Sequence, residues 1–435
     1  MTFVPDAFRT SRVQKHMHAG SLLAAPSMIL NAGLILAALF AMYYLRRPKL
    51  QNNKSWQATL TPLSSIIGSG FLIMSPLLAS VVGGLSPIAV IGIVVLAYAI
   101  GSVIRFNIVH VEPRIKKGSL SKKTRDIEYL GDIALVLAYM VAVAFYLSLL
   151  SSFLFSYLGI DNPVAERWLT TIIILFISIV GYKRGLGGLE KLEAISMTAQ
   201  LSIVFALLLG LSAFSYLFYT SGESLNFDFP QRDISTQIRI LAGALLVVQG
   251  FETSRFLGEK YSPEMRVATM KKAQIISGVL YVIAVILFLP VVQHLDLHNI
   301  QMAKIVDVTG LAAIVLPFML IGAALLSQFS AAVADTGGGG GLLSENSRKK
   351  LSTRVSYLGI AVCAILLVWA VDLIEIITLA SRAFAFYYFL QTLLALNFCY
   401  RDCPIELRMT LWRRILFVSL AIILAYIVLF AIPAE

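Results

Sequence analysis

The chain has 435 residues, 58% of them hydrophobic and 14% charged, against about 25% charged in soluble domains. This excludes a soluble globular enzyme and predicts an all-α polytopic membrane protein. The net charge of +11 and the three cysteines raise nucleic-acid binding and a disulfide framework. The order of residues along the chain argues against both.

Windows of about 20 apolar residues predict twelve spans, near 22–45, 58–82, 84–105, 130–158, 166–181, 197–219, 237–258, 273–294, 307–336, 354–371, 373–400 and 412–432. The first is too long for the apolar core of a signal peptide. It reads as an extra membrane helix after an external N-terminus, together residues 1–57.

The second span carries Ser64-Ser65-Ile66-Ile67-Gly68-Ser69-Gly70-Phe71 near its middle. A continuous helix there would lose roughly 1 kcal/mol per glycine relative to alanine. Lipid supplies no water to freed backbone groups, so a break at that depth must line a cavity or be buried in protein. The alternative is a small-residue packing face between helices. The fourth span carries Tyr139 and Tyr146, and Tyr146 lies near mid-span, within reach of a bound solute.

The seventh span reads Ala244-Leu245-Leu246-Val247-Val248-Gln249-Gly250-Phe251-Glu252-Thr253-Ser254-Arg255. Gln249-Gly250 follows Ser69-Gly70 by 180 residues. Glycine-interrupted segments at matching places in two halves point to a midplane binding site. A half-helix N-terminus near Phe71 suits an anionic group such as a carboxylate. The half-helix C-termini at Ile67 and Val248 offer carbonyls to an ammonium or cation. Expected solute contacts are therefore Ile67, Gly68, Ser69, Gly70, Phe71, Tyr146, Val248, Gln249, Gly250 and Phe251.

Glu252 is an acid near mid-membrane, which is costly unless paired, hydrated or protonated. It is the expected proton carrier; the competing reading is a structural pair with Arg255, one helical turn on. Arg382, in the eleventh span, is expected to pair with Glu375 or with an acid on another helix. Ser327, Ser330, Asp335 and Thr336 run along the ninth span. Five glycines, 337 to 341, follow Thr336 without the Lys-Ser of a phosphate loop, and read as a flexible exit or hinge. His294-Leu295-Asp296-Leu297-His298 reads as a solvated loop, with metal binding as the alternative. Cys399 and Cys403 lack neighbouring histidines and do not make a zinc site. No metal or cofactor motif is present.

With the N-terminus outside, 26 of the 35 Lys and Arg residues fall in inner loops. The positive-inside rule thus accounts for the charge, and no nucleic-acid partner is needed. The partners expected are a small-molecule solute and the lipid bilayer, and the location is the plasma (bacterial inner) membrane with both termini external. Spans two to eleven form two sets of five that enter from opposite sides, residues 58–220 and 237–400, followed by a cytoplasmic loop and final helix at 401–435.

The residues at the breaks also carry a family likeness. Gly68-Ser69-Gly70-Phe71 resembles the glycine-rich first core helix of amino acid–polyamine–organocation (APC) permeases. Gly250-Phe251-Glu252, Gly258-Glu259-Lys260 and Ser262-Pro263-Glu264-Met265-Arg266 are similar to their sixth core helix and the loop after it, with Ser262 in place of an Asn and one extra residue before the Arg. Gly185-Leu186-Gly187-Gly188-Leu189-Glu190-Lys191 resembles the inner loop before their fifth core helix. The resemblance implies the LeuT-type 5+5 inverted repeat with one extra helix at each end. It also implies alternating-access transport of a small solute, an amino acid or related amine. It points to a candidate cation site at Ser64, Ile67, Ser327 and Ser330, although Ala331 stands where a second hydroxyl is expected. The coupling ion is accordingly read as H+, with Na+ as the alternative. A transporter-like solute sensor is the rival from another class.

Overall fold

The computed structural model describes residues 24–432 except 69, 71–72, 259, 299–301, 348–349 and 403–409. The described residues form helices and connecting turns, with no strand among them. The main helices are α1 (Ala24–Leu45), α2 (Lys54–Gly68), α3 (Met74–Val82), α4 (Ser86–Phe106), α5 (Lys122–Tyr157) and α6 (Pro163–Thr220). They continue with α7 (Ile234–Gly243), α8 (Pro263–Val292), α9 (Leu316–Asn346), α10 (Thr353–Ala370), α11 (Leu373–Arg401) and α12 (Leu411–Phe430).

Short polar signals set where these helices begin. Asn162 and Ser262 each precede a proline, and their side chains accept the amides of Ala165 (3.0 Å) and Met265 (3.4 Å). Asp233 and Ser352 cap α7 and α10 in the same way. Each cap satisfies an amide that a helix start leaves free, and proline at the first position has no amide to lose.

Twelve passes result among the described residues. Nine stretches of these residues are long and apolar enough to cross a membrane by themselves. One of these, α6, is two helices joined at an elbow. Two further passes are broken: α2 with α3, and α7 with the 3₁₀ segments Ala244–Val248 and Phe251–Leu257. The elbow corrects an expectation. A loop was predicted between the spans at 166–181 and 197–219, but the chain stays helical except at Gly185 (φ 65°, ψ −161°). Only glycine adopts that backbone without strain, so one residue replaces a loop.

The glycine run is also not a flexible exit. Residues 337–341 lie inside α9. A Cβ on Gly339 would come within 2.9 Å of Ile360 and 3.2 Å of Tyr139, and one on Gly340 would strike the Tyr357 ring. Bare backbone lets those side chains approach, and this close packing opposes the low helix propensity of glycine. Gly341 has open space around it. Gly340→Val should therefore lower thermal stability by about 1–3 kcal/mol through overpacking, while Gly341→Ala should be neutral or stabilising by up to about 1 kcal/mol. A hinge would respond alike at both positions, and thermal unfolding in detergent separates the two outcomes.

The added helices lie at the margin. α1 packs on α6, and α12 packs on α11. The other eight passes pack around the two broken ones, with α9 packed on α2, α5 and α6.

Candidate solute and ion site at the helix breaks

The first break follows Gly68. Gly70 forms a turn, its carbonyl accepting the amides of Ile73 and Met74, each at 3.1 Å, and α3 restarts the helix. Two expected contacts, Ser69 and Phe71, lie outside the described residues. At the second break Gln249 and Gly250 leave the helical path, and Gly250 has φ 113°.

The breaks close on each other. A Cβ on Gly70 would fall 2.8 Å from Val247 Cβ, and one on Gly250 would fall 2.7 Å from the Ser65 carbonyl carbon. Each glycine thus packs against residues just before the opposite break. Tyr281 on α8 ties them further: its hydroxyl lies 2.9 Å from both the Ile66 and the Val247 carbonyl oxygens. Breaks leave carbonyls without helical partners, and the one hydroxyl proton of this neighbouring side chain is in reach of both. Tyr281 was not singled out from the sequence. Its signal was a tyrosine deep in an apolar helix, where the hydroxyl needs a partner.

Tyr146 and Gln249, each expected to contact a solute, meet one another. Gln249 Nε2 donates to the Tyr146 hydroxyl at 2.7 Å. Both residues are buried, as are Ile67, Gly68, Val248 and Phe251, whose ring stacks on Tyr388 with centroids 5.1 Å apart. Two spaces bordering the second break each hold about 10 Å³, one beside Gln249 and Tyr388, the other beside Val248 and Tyr281. That is room for about one water. The conformation is closed around the breaks.

Glu252 is fully buried. It accepts the Gly250 amide at 3.0 Å and the Tyr388 hydroxyl at 2.5 Å, and its Oε1 has no hydrogen-bond partner among the described residues. It does not pair with Arg255. That guanidinium binds Glu128 on α5, lies 3.4 Å from Glu112 and 4.0 Å from Asp132, and donates to the Tyr387 hydroxyl at 3.2 Å. Arg266 holds the other oxygen of Glu112 at 2.7 Å. The expected local pair is thus replaced by a cluster drawn from four parts of the chain. The carboxyl of Glu252 turns back to the break, and stronger opposite charge waits for Arg255 on α5. Arg382 likewise does not reach Glu375; its hydrogen bond goes to the Ala431 carbonyl at 3.5 Å.

Asp335 is a second fully buried acid. Its Oδ1 accepts the Ser65 hydroxyl at 3.0 Å, and its Oδ2 has no partner among the described residues. Ser65 is also the residue against Gly250, so one serine lies between the surroundings of both acids. The sequence marked Asp335 only as part of a polar run on the ninth span. An acid inside a span was the signal for more.

Among the candidate cation residues, Ser327 Oγ lies 3.2 Å from the Ile67 carbonyl and 3.1 Å from that of Gly68. Ser330 turns away, its hydroxyl lying 3.1 Å from the Ser327 carbonyl and 3.3 Å from Gln200 Oε1, with one proton to give to either. The hydroxyl of Ser64 is buried without a partner among the described residues. Ala331 touches the space where a Cβ of Gly68 would sit, so the first break presses on a methyl there and leaves no place for a second hydroxyl. His298 pairs with Asp228 at 3.3 Å, and no cluster of three metal-binding side chains occurs among the described residues.

Two interrupted helices interleaved at mid-depth, each satisfied by neighbouring helices, define a membrane transporter of the LeuT-type fold. The chain belongs to the APC superfamily of transporters, whose family model matches residues 48–431. An uncharacterised protein of Aquifex aeolicus (strain VF5) is 44% identical over 362 residues, covering 82% of this chain and 87% of the relative. Solved structures share the fold at low identity. A Na+-coupled sialic acid symporter in a substrate-bound outward-open state has a TM-score of 0.54 at 12% identity, covering 94% of this chain and 98% of that one. The nucleobase-cation-symport-1 family transporter Mhp1, closed with bromovinylhydantoin bound, has 0.53 at 13%, covering 85% and 90%. A manganese transporter of Eremococcus coleocola has 0.55 at 13%, covering 88% and 87%.

The interleaved glycines give a direct test of the closed packing. Gly70→Ala should slow uptake at least about tenfold, because its methyl meets the branched side chain of Val247 and opposes closure. Gly70→Ala combined with Val247→Ala should regain most of the rate. Failure of the double variant to recover would show that Gly70 is required for something other than this contact.

Proposed function

We propose that the protein is a secondary active transporter that moves a small organic solute, an amino acid or related amine, by alternating access coupled to a proton on Glu252. The observation that carries this reading is the buried, cation-free setting of Glu252 beside the second break. Its neighbours are hydrogen-bond donors, and Arg255 is fully engaged by other acids. An acid held this way in a membrane interior is suited to bind and release one proton per cycle. Backbone at Gly68, Gly70, Gln249 and Gly250, with Tyr146 and Phe251 alongside, is the proposed solute site. Freed amides there suit a carboxylate, and freed carbonyls suit an ammonium group.

Sodium is the second reading. The Ser327 hydroxyl and the Ile67 and Gly68 carbonyls form part of an oxygen cage, and one fold relative is Na+-coupled. The methyl of Ala331 weighs against it, since a hard cation needs more oxygens. Purified protein in liposomes, offered a panel of labelled amino acids and amines under a proton or a sodium gradient, tests both. Accumulation under the proton gradient alone supports the proposal, and accumulation under sodium alone transfers the coupling to the Ser327 cage. Binding without uptake under either gradient makes the protein a solute sensor.

The basic end of the bundle is proposed to face the cytoplasm of a plasma (bacterial inner) membrane, with both termini external. Lys117→Cys, in an exposed turn, should react with an impermeant maleimide only after cells are opened. Reaction in intact cells overturns this orientation.

A further inference from the structure

A larger cavity lies at the α6 elbow and shares no lining residue with the breaks. It has a volume of about 370 Å³, within the ~300–1,000 Å³ range of small-ligand sites. The two arms of α6 form its walls, and their meeting at Gly185 makes it wedge-shaped.

One part of the wedge is cationic, from Lys183, Arg184 and Lys191; the other is apolar, including Phe176, Ile179 and Ile195. Those three apolar side chains are 48%, 47% and 47% exposed. The three cations are exposed and form no ion pair among the described residues. Acids are close in sequence but are turned elsewhere. Glu190 is taken by Lys260 at 2.8 Å, and Glu193 is buried with its Oε2 on the Thr61 hydroxyl at 3.3 Å. A further guanidinium, that of Arg354, lies 4.0 Å from the Cβ position of Gly185. The elbow therefore offers uncompensated positive charge directly beside an alkyl-lined wall.

We propose that this wedge is a binding site for one anionic phospholipid, the phosphate held by Lys183, Arg184 and Lys191 and an acyl chain laid along Phe176, Ile179 and Ile195. Charge complementarity selects the headgroup, and the exposed apolar wall selects a lipid over a free anion. Basic pockets between membrane helices are suited to such headgroups. The inference does not depend on the coupling ion or on the solute.

Delipidated full-length protein in detergent, titrated with phosphatidylglycerol or phosphatidylcholine and read by native mass spectrometry, tests it. One phosphatidylglycerol should stay bound under conditions that strip phosphatidylcholine. Replacing Lys183, Arg184 and Lys191 with glutamine should weaken phosphatidylglycerol about a hundredfold, from about fivefold per cation, and leave phosphatidylcholine unchanged. Ile179→Trp, which keeps every charge, should also weaken it by filling the alkyl part of the wedge. Glutamine at Lys116, Lys117 and Lys122, exposed cations at the same end, should change affinity less than twofold.

Equal weakening by the two triple variants would reduce the effect to diffuse charge and overturn the proposal. Displacement of the lipid by millimolar inorganic phosphate would make the wedge a phosphate site instead, also overturning it. Should the triple variant not purify, Lys183→Gln and Lys191→Gln singly are expected to cost about fivefold each, and their silence overturns the site.

Discussion

Glu252→Gln is expected to keep solute binding and solute–solute exchange while losing accumulation driven by a pH gradient. One pH unit is worth about 1.4 kcal/mol, or about tenfold accumulation for one proton per solute. In liposomes the wild type should approach that ratio, and the variant should stay near equality. The expectation rests on what surrounds the side chain. Gly250 N–H and Tyr388 O–H both donate to Glu252 Oε2, and a glutamine carbonyl accepts the same two bonds. The variant therefore resembles the protonated acid in shape and bonding. It also strands no cation, because Arg255 has its own acids. A loss of transport accompanied by unfolding is thus not expected. Retained tenfold accumulation in Glu252→Gln would remove this acid from the coupling step and direct attention to Asp335.

Arg255→Met is expected to be the most destabilising single change in the molecule. The substitution leaves Glu128, Glu112 and Asp132 facing one another with Arg266 as the remaining cation held there. Removing one partner of a buried ion pair costs about 3–5 kcal/mol, chiefly because the remaining charge is left uncompensated. Yield and thermal midpoint should fall together. Adding Glu128→Gln should recover a large part of the loss, since it removes the acid bonded most directly to Arg255. The cluster also joins the second broken helix to α5, so a recovered double variant should show faster solute-independent opening at that end, measurable as cysteine accessibility. An unchanged thermal midpoint in Arg255→Met would mean that water already solvates the cluster.

Much of the architecture was legible because lipid imposes a simple code. Apolar runs give passes, Lys and Arg give loops, and glycines where a helix should be uninterrupted give breaks. Tyr146 was singled out by its depth and Gln249 by the break it adjoins, each as a solute contact, and the structure places the two 2.7 Å apart. Pairing was not legible. Arg255 lies three residues from Glu252, yet its partner Glu128 is 127 residues away. Spacing along a helix shows which neighbours can meet, but it cannot rank them against a distant acid. Tyr281 and Asp335 were missed for the same reason: the atoms they hold, at Ile66, Val247 and Ser65, come from other helices. The glycine run misled in the opposite sense. Composition suggested a loose segment, while the rings of Tyr139 and Tyr357 need bare backbone beside them.

The reciprocal seating of Gly70 against Val247 and of Gly250 against Ser65 also bears on how such a chain can diverge. A change at either break is therefore expected to need a compensating change in the other half. Revertants selected from a damaged Gly70 should map to the neighbourhood of Val247, and those from Gly250 to that of Ser65. A hybrid that takes residues 1–236 from this chain and the remainder from its 44%-identical Aquifex relative should work only where those two contacts still fit. Drift elsewhere along the helices, where side chains face lipid, carries no such obligation.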